Sequence, residues 1–365
     1  MSKKINIAID ISPTNDGNSV RGVGYYTQNL VNALQKEIKT NPLYKNWSID
    51  LVENSQKPKA DSYNLIHYPY FDPFKLTLPH NNKPTIVTVH DLIPIQFKSH
   101  FPIGFRGWLK WHIQKFRLHH VSAIITVSEY SKNIISKLIK YPLNKIVATH
   151  LAADENFKVI SNTKLLKSIA QKYNLPPKFV LFVGDINWNK NVPNLVRACK
   201  KCNFPLVIVG ASATKTDVPD HPWTKDLRWL QKRAKSPLNK RTKKIILTGF
   251  VSDQELSAIY NLATVYCQPS FAEGFGLPLV QAMQSGCPVA HGFHTSPPEV
   301  MGDVGLSFNP RSVEDIQSVL KKYWNDSKLR RNQKTLGLSR SRIFKWSTTA
   351  QKTLALYSTL IPNEQ

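Results

Sequence analysis

Short apolar runs alternate with longer stretches in which apolar residues recur every three or four positions, along almost the whole chain. The runs predict strands at Ile5–Ile11, Ser48–Val52, Leu65–Tyr68, Thr85–Val89, Ala123–Val127 and Ile146–Thr149. A second series follows at Phe179–Val183, Pro205–Val209, Lys244–Leu247, Val265–Gln268, Pro288–Ala290 and Leu306–Phe308. The longer stretches predict helices, among them Tyr26–Ile38, Arg106–His120, Tyr130–Ile139, Val192–Cys202, Asp253–Ala263 and Val313–Tyr323. Nearly continuous apolar strands separated by amphipathic helices predict an α/β chain with parallel sheets covered on both faces.

The rhythm breaks once. Residues 153–177 hold one helical stretch, Thr163–Tyr173, no convincing strand, and a closing Pro176-Pro177. The expected organisation is therefore two doubly wound domains, 1–155 and 178–345, joined by a linker over 156–177 and followed by a C-terminal segment, 346–365. In such domains ligands bind where strands end, at their carboxyl side.

Composition narrows the function. Of 365 residues, 49 are Lys or Arg and 24 are Asp or Glu, a net charge of +25 that calls for an anionic partner. Nucleic acid, an anionic membrane face and a phosphorylated substrate all qualify, beside the plain reading that the lysines keep the protein soluble. The 41% hydrophobic fraction excludes chain-wide disorder, and four Cys are too few for a disulfide scaffold. The N-terminal apolar run is broken by Asn6 and Asp10, and nowhere do 18 apolar residues run uninterrupted. The expectation is a cytoplasmic protein without a membrane span.

Two basic stretches carry aromatics. Phe105–Leu118 mixes cationic and apolar residues at helical spacing, which suits either an anionic membrane surface, with Trp108 and Trp111 at the interface, or a domain helix with one buried face. Lys225–Lys244 holds nine bases against one acid, beside Trp223 and around Trp229. It reads as a second membrane patch or simply a basic insertion.

The densest chemistry lies at Pro269–Met283, between a predicted strand and a predicted helix. Gly274 and Gly276 let backbone approach a ligand, free amides at a helix N-terminus suit phosphate, and Pro278 is well tolerated in the first turn of the helix. Glu273 offers a carboxylate to sugar hydroxyls, and Gln281 lies one turn inside the helix. An ordinary glycine turn between strand and helix is the plain alternative.

Glu273-Gly274-Phe275-Gly276-Leu277-Pro278, continued by Ala282–Val289, resembles the signature of retaining glycosyltransferase family 4. That resemblance implies the GT-B architecture, two Rossmann-like domains facing a cleft, with the final helix from Lys345-Trp346-Ser347 returning to the first domain. It implies transfer of a hexose from a nucleoside diphosphate sugar, without metal or other cofactor. The family pairs two glutamates eight positions apart, one for the transferred sugar and one for the nucleotide ribose; Glu273 matches the first, but Gln281 stands at the second. A glutamine still bonds a ribose diol while losing the charge-assisted contact, so a weakened donor site and a degenerate, non-catalytic member both stay open.

The resemblance extends to other positions in chain order. Arg21-Gly22-Val23-Gly24 resembles the N-terminal glycine turn that contacts diphosphate or acceptor, and His90 the histidine placed over the donor sugar, with Asp91 a local brace. Ser128-Glu129 reads more simply as a helix cap. Lys190, in Asn189-Lys190-Asn191, resembles the cation that meets the donor diphosphate. Asp185 and Asn189 stand where many relatives carry further bases, which leaves Lys190 more of the charge to supply. Gly249–Asp253 resembles the loop that meets the nucleobase through backbone near Val251.

Rival chemistries find less. No Asp-x-Asp pair offers metal ligands for a diphosphate, Cys199 and Cys202 have no second pair, and no Gly-x-Ser-x-Gly elbow occurs. A nucleic-acid binder has the charge but no recognisable module, and no use for the Glu273 segment. The catalytic candidates are Glu273, His90 and Lys190; the donor-binding candidates are Gly22, Val23, Gly24, Asn189, Val251, Gly274, Phe275, Gly276, Leu277 and Gln281. The expected donor is GDP-mannose, the expected acceptor a lipid-linked or growing surface glycan, and the expected place the inner face of the cell membrane.

Overall fold

The structure is a computed structural model and describes residues 4–15, 22–53, 62–79 and 83–361. The chain divides into two compact units. Unit 1 comprises Met1–Lys98, Ile103–Leu151 and Phe344–Gln365, and unit 2 comprises Ser99–Pro102 and Ala152–Ile343. The alternation of strands and helices gave no sign that the tetrapeptide Ser99–Pro102 groups with unit 2.

Unit 1 is built on a parallel sheet of six strands: β1 (Ile5–Asp10), β2 (Trp47–Val52), β3 (Leu65–Tyr68), β4 (Thr85–Thr88), β5 (Ala123–Thr126) and β6 (Ile146–Ala148). Their order is β2-β1-β3-β4-β5-β6, so the chain reverses its direction of travel across the sheet between β1 and β3. Unit 2 repeats the design with β7 (Val180–Val183), β8 (Leu206–Val209), β9 (Ile245–Gly249), β10 (Val265–Gln268), β11 (Val289–Gly292) and β12 (Leu306–Phe308). Its order is β12-β11-β10-β7-β8-β9, with the reversal between β7 and β10. Strands β3, β4, β5, β8, β10 and β11 are buried at every position, as the unbroken apolar runs require.

Three details depart from the sequence reading. The first long helix spans Gly22–Thr40 and so begins at the glycines instead of after them; Gly24 is buried in its first turn, and Arg21 lies outside the described residues. Of the two readings left open for the Gly104–Leu118 helix, the one that put Trp111 beside Trp108 at a membrane interface does not hold for Trp111, which is buried together with Gln114 and Leu118, three and seven positions on, the spacing of one helical face. Within the basic insertion, Lys225–Ala234 forms a helix that buries Leu227 and Leu230, while the guanidinium groups of Arg197 and Arg233 lie over the Trp229 ring, 5.6 and 5.1 Å from its centre.

A polar seam runs through the core of unit 1. The C-terminal helix, Trp346–Leu360, packs on the Gly22–Thr40 helix and buries Thr349, Thr353 and Tyr357 at four-residue spacing. Its Tyr357 hydroxyl lies 2.6 Å from Nδ1 of His67, in the middle of β3, and His67 Nε2 lies 2.8 Å from Thr88 Oγ1 on β4. Thr88 in turn reaches the Tyr26 hydroxyl at 3.2 Å. Each ring nitrogen of His67 therefore has an oxygen partner, which is what a core imidazole needs.

Burial, with a smaller contribution from the neighbouring His90, pushes His67 down to about 3, and burial pushes His90 down to about 4. Unfolded, both rings take a proton near 6.5. Between these values the unfolded chain binds more protons than the folded one, so stability is lost as pH falls. Urea unfolding between about pH 7 and about pH 5 is expected to show this loss, with His67→Gln reducing the slope by up to about 1.4 kcal/mol per pH unit. Wild-type stability that did not change over this range would mean that both rings are solvated.

Candidate active site

The site candidates lie on the loops at the carboxyl ends of strands and the helices these loops open, and all but His90 and Val251 stand beside the reversal of the sheet in their unit, where such folds bind ligands. In unit 2 these are the loops after β7 and β10. The first runs through a tight turn at Trp188–Lys190 to Asn191, which sits in the left-handed region at φ 52° and opens the Val192–Cys202 helix. Asparagine tolerates that conformation, and here its side chain is used as well. The Asn191 amide donates to the carbonyls of Pro269 and Pro310 at 2.9 and 2.7 Å. On the other side of Lys190, the Asn189 amide donates to Ala272 O at 3.0 Å, and Phe271 N–H donates to Asn189 O at 2.8 Å. Two buried asparagines thus fasten the β7 loop to the β10 loop. Asn189, a donor-binding candidate, uses its side chain in this fastening.

Lys190 lies between these fastenings and meets Glu273. Its Nζ donates to both carboxylate oxygens, at 2.8 and 2.7 Å. The Glu273 side chain is 8% exposed and that of Lys190 25%, so the carboxylate depends on this partner far more than a surface glutamate would. Ser270 Oγ donates to Glu273 Oε1 at 2.6 Å, and Glu273 N–H donates to Thr295 Oγ1 at 3.0 Å. Ser296 Oγ bonds the carbonyls of Glu273 and Phe275, both at 3.0 Å. The sequence reading gave Lys190 and Glu273 separate tasks; the fold makes them one ion pair. It missed Ser270, Thr295 and Ser296, of which only Ser270, three positions before the glutamate, left a local signal.

After Glu273 the chain passes Gly274 and Phe275 to Gly276, at φ +93°, and enters the Leu277–Gln284 helix. No side chain caps this helix, and Pro278 occupies its first turn. The backbone at Gly276 passes closely over the strand below: a Cβ there would lie 2.9 Å from both Gln268 Nε2 and Leu279 Cδ1. Gln268 is buried, its Oε1 accepting from Tyr266 at 2.8 Å while its Nε2 has no hydrogen-bond partner among the described residues. Gln281 is also buried, and Tyr260 Oη lies 3.5 Å from its Oε1. Val251 follows β9, two strands from β7, with its side chain buried.

Unit 1 brings Gly22, Val23, Gly24 and His90 to the carboxyl side of its sheet. The Tyr26 and His90 rings meet edge to face at 4.7 Å. His90 Nε2 lies 3.1 Å from Pro69 O. A carbonyl only accepts, so Nε2 carries the proton and Nδ1 keeps the lone pair, and the lowered pKa keeps the ring neutral at pH 7. Asp91 Oδ1 accepts from Ile93 N–H at 3.0 Å, the bracing role expected of it, and Ser128 Oγ caps its helix by accepting from Ser131 N–H at 3.0 Å.

The arrangement joins a cation, an uncapped helix N-terminus and a fixed carboxylate, a set suited to an anionic leaving group attached to a polyhydroxyl compound. Known proteins agree. Residues 38–157 match the family described as Glycosyltransferase Family 4, and residues 167–338 match Glycosyl transferases group 1. The chain belongs to this family: it is a glycosyltransferase with the GT-B fold. It is similar to O-antigen chain mannosyltransferase B of Escherichia coli, 28% identical over an alignment spanning 93% of this chain and 96% of that protein. Serotype-specific mannosyltransferase WbdA of Escherichia coli is 29% identical over 80% of this chain, which spans only 36% of that longer protein. Among solved structures, sucrose-phosphate synthase from Thermosynechococcus elongatus superposes with a TM-score of 0.74 over 98% of this chain and 99% of its own, at 17% identity, a likeness of fold.

Gly276→Ala is expected to destabilise the protein by about 1–3 kcal/mol in denaturant unfolding, because the new Cβ meets both the φ restriction and Gln268. A neutral substitution would show that the loop is free to move.

Proposed function

We propose that this glycosyltransferase moves a hexose, mannose in the first instance, from GDP-mannose to a hydroxyl of a lipid-linked or growing surface glycan, with retention at the anomeric carbon. The observation that carries the proposal is the Lys190–Glu273 pair, fixed beside the uncapped helix at Leu277 and at the reversal of the unit 2 sheet. The names of the similar Escherichia coli proteins, both mannosyltransferases, support the choice of sugar.

In this reading the bond between the anomeric carbon and the diphosphate oxygen breaks, and its electron pair leaves with the nucleoside diphosphate. Lys190 and the amides from Gly274 to Leu277 stabilise the charge that develops there. Lys190 has three N–H donors, two of them on Glu273, so the third and the shared positive charge remain for phosphate. The acceptor hydroxyl attacks from the face the diphosphate leaves, and its proton passes to a diphosphate oxygen. Glu273 accepts hydrogen bonds from sugar hydroxyls, Gln281 bonds the ribose, and backbone near Val251 meets the base. In unit 1, His90 offers neutral Nδ1 to a substrate hydroxyl, while Gly22 to Gly24, at a helix N-terminus, receive diphosphate or acceptor. No metal or other cofactor has a step in this scheme. The +25 net charge suits enzyme held at the anionic inner face of the cell membrane, each base near the lipid adding about 1 kcal/mol. No helix among the described residues is long and apolar enough to cross a membrane.

Thermal unfolding with GDP, UDP, dTDP and ADP tests the donor. GDP at about a hundred times its Kd is expected to stabilise the protein by about 2.7 kcal/mol, and a response to another base alone would overturn the choice. In a transfer assay Glu273→Ala and Lys190→Ala are each expected to lower kcat by about a hundredfold or more. Gln281→Glu is expected to tighten GDP binding about five- to tenfold. Full transfer by Glu273→Ala would refute the site.

A further inference from the structure

We propose that the outward stripe of the Gly104–Leu118 helix docks the enzyme on an anionic lipid bilayer, the helix lying in the plane of the interface. The inference deepens the membrane reading above by assigning it to one element, and it does not depend on which sugar is transferred.

Phe105, the adjacent Trp108 and Leu109, His112 and Phe116 follow at three- and four-residue steps and form a single stripe along the helix. Phe105 is 76% exposed, Trp108 49%, Leu109 46% and Phe116 63%, so four large apolar side chains face water in a row. The opposite face is committed to the protein: Trp111, Gln114 and Leu118 are buried. The Gln114 amide donates to Lys75 O at 2.6 Å and to Thr77 Oγ1 at 3.0 Å, while Arg117 donates to Leu78 O at 2.7 Å. The helix is thus held by its inner face, with the stripe outward.

The surroundings of the stripe choose the occupant. Arg106 and Lys110 lie along one margin and Lys115 along the other, and the helix contains no Asp or Glu. Apolar rings bordered by cations on both sides match a surface that is apolar inside and anionic at its skin, which is a bilayer carrying acidic lipid. Another protein's groove would take the apolar stripe but gives no reason for cations on both margins without one carboxylate among them. Fifteen residues span about 22 Å as a helix, too short to cross a bilayer, and their inner face is already in use, so the helix lies flat.

The test is sedimentation of the full-length protein with vesicles of phosphatidylcholine alone or mixed with phosphatidylglycerol. The wild type is expected to bind the mixed vesicles at low salt and to leave them at high salt. A Phe105→Ser, Trp108→Ser, Phe116→Ser triple variant is expected to bind about tenfold more weakly or worse, with its unfolding midpoint unchanged. Brominated lipid is expected to quench tryptophan emission in the wild type and less in Trp108→Phe, although that variant stays bound. If the wild type fails to bind the mixed vesicles, the membrane reading and this inference both fall. Equal binding by wild type and triple variant overturns this inference alone and moves the contact elsewhere, with the Lys225–Lys244 stretch next to test. Light scattering that shows the triple variant losing an oligomeric state while its vesicle binding is unchanged makes the stripe a protein interface and also overturns the inference.

Discussion

A carboxylate held almost out of water has to be neutralised where it stands, and the loops of unit 2 are arranged around that requirement. Burying the Glu273 charge without a partner would cost several kcal/mol. Lys190 supplies the countercharge, Ser270 a further donor, and Asn189 and Asn191 hold the lysine loop in place from both sides. Removing any of these groups leaves another buried polar atom without its partner, so the cluster stands or falls as a unit. In the proposed function a diphosphate would meet here an ammonium whose charge is already shared with Glu273.

Unit 1 meets a related problem with a neutral group. His67 sits inside β3 without a countercharge and stays uncharged, with a hydroxyl on each ring nitrogen. One of those hydroxyls comes from Tyr357, 290 positions further along the chain. The core of unit 1 is therefore completed by the Trp346–Leu360 helix. The seam continues through Thr88 and Tyr26 to the edge of the His90 ring, so the C-terminal helix helps to shape the surroundings of a candidate site residue.

The departure at Gln281 looks different in the folded protein. The helix that carries it covers Gln268, so two buried glutamines lie near two buried tyrosines, Tyr260 and Tyr266. A second carboxylate at this buried position would need a countercharge of its own. The amide keeps hydrogen-bonding capacity at this position without adding charge to a site that already buries one ion pair.

Much of this was legible in the sequence. The strands showed as apolar runs, most plainly the six buried at every position, because strands covered on both faces leave no polar side, and the GT-B fold followed from their alternation with helices together with the Glu273 signature. Asp91 and Ser128 were legible as braces because their bonds reach only two or three residues. Local pattern could not show that Lys190 and Glu273, 83 positions apart, form one ion pair, that Asn189 and Asn191 serve the loop between them, or that Trp111 turns inward while Trp108 stays out. Nor could it show that Tyr357 completes β3. A sequence determines by itself whatever depends on periodicity and near neighbours; contacts between distant positions exist only once the sheets are stacked, and in this protein those contacts set the charge and geometry of the site.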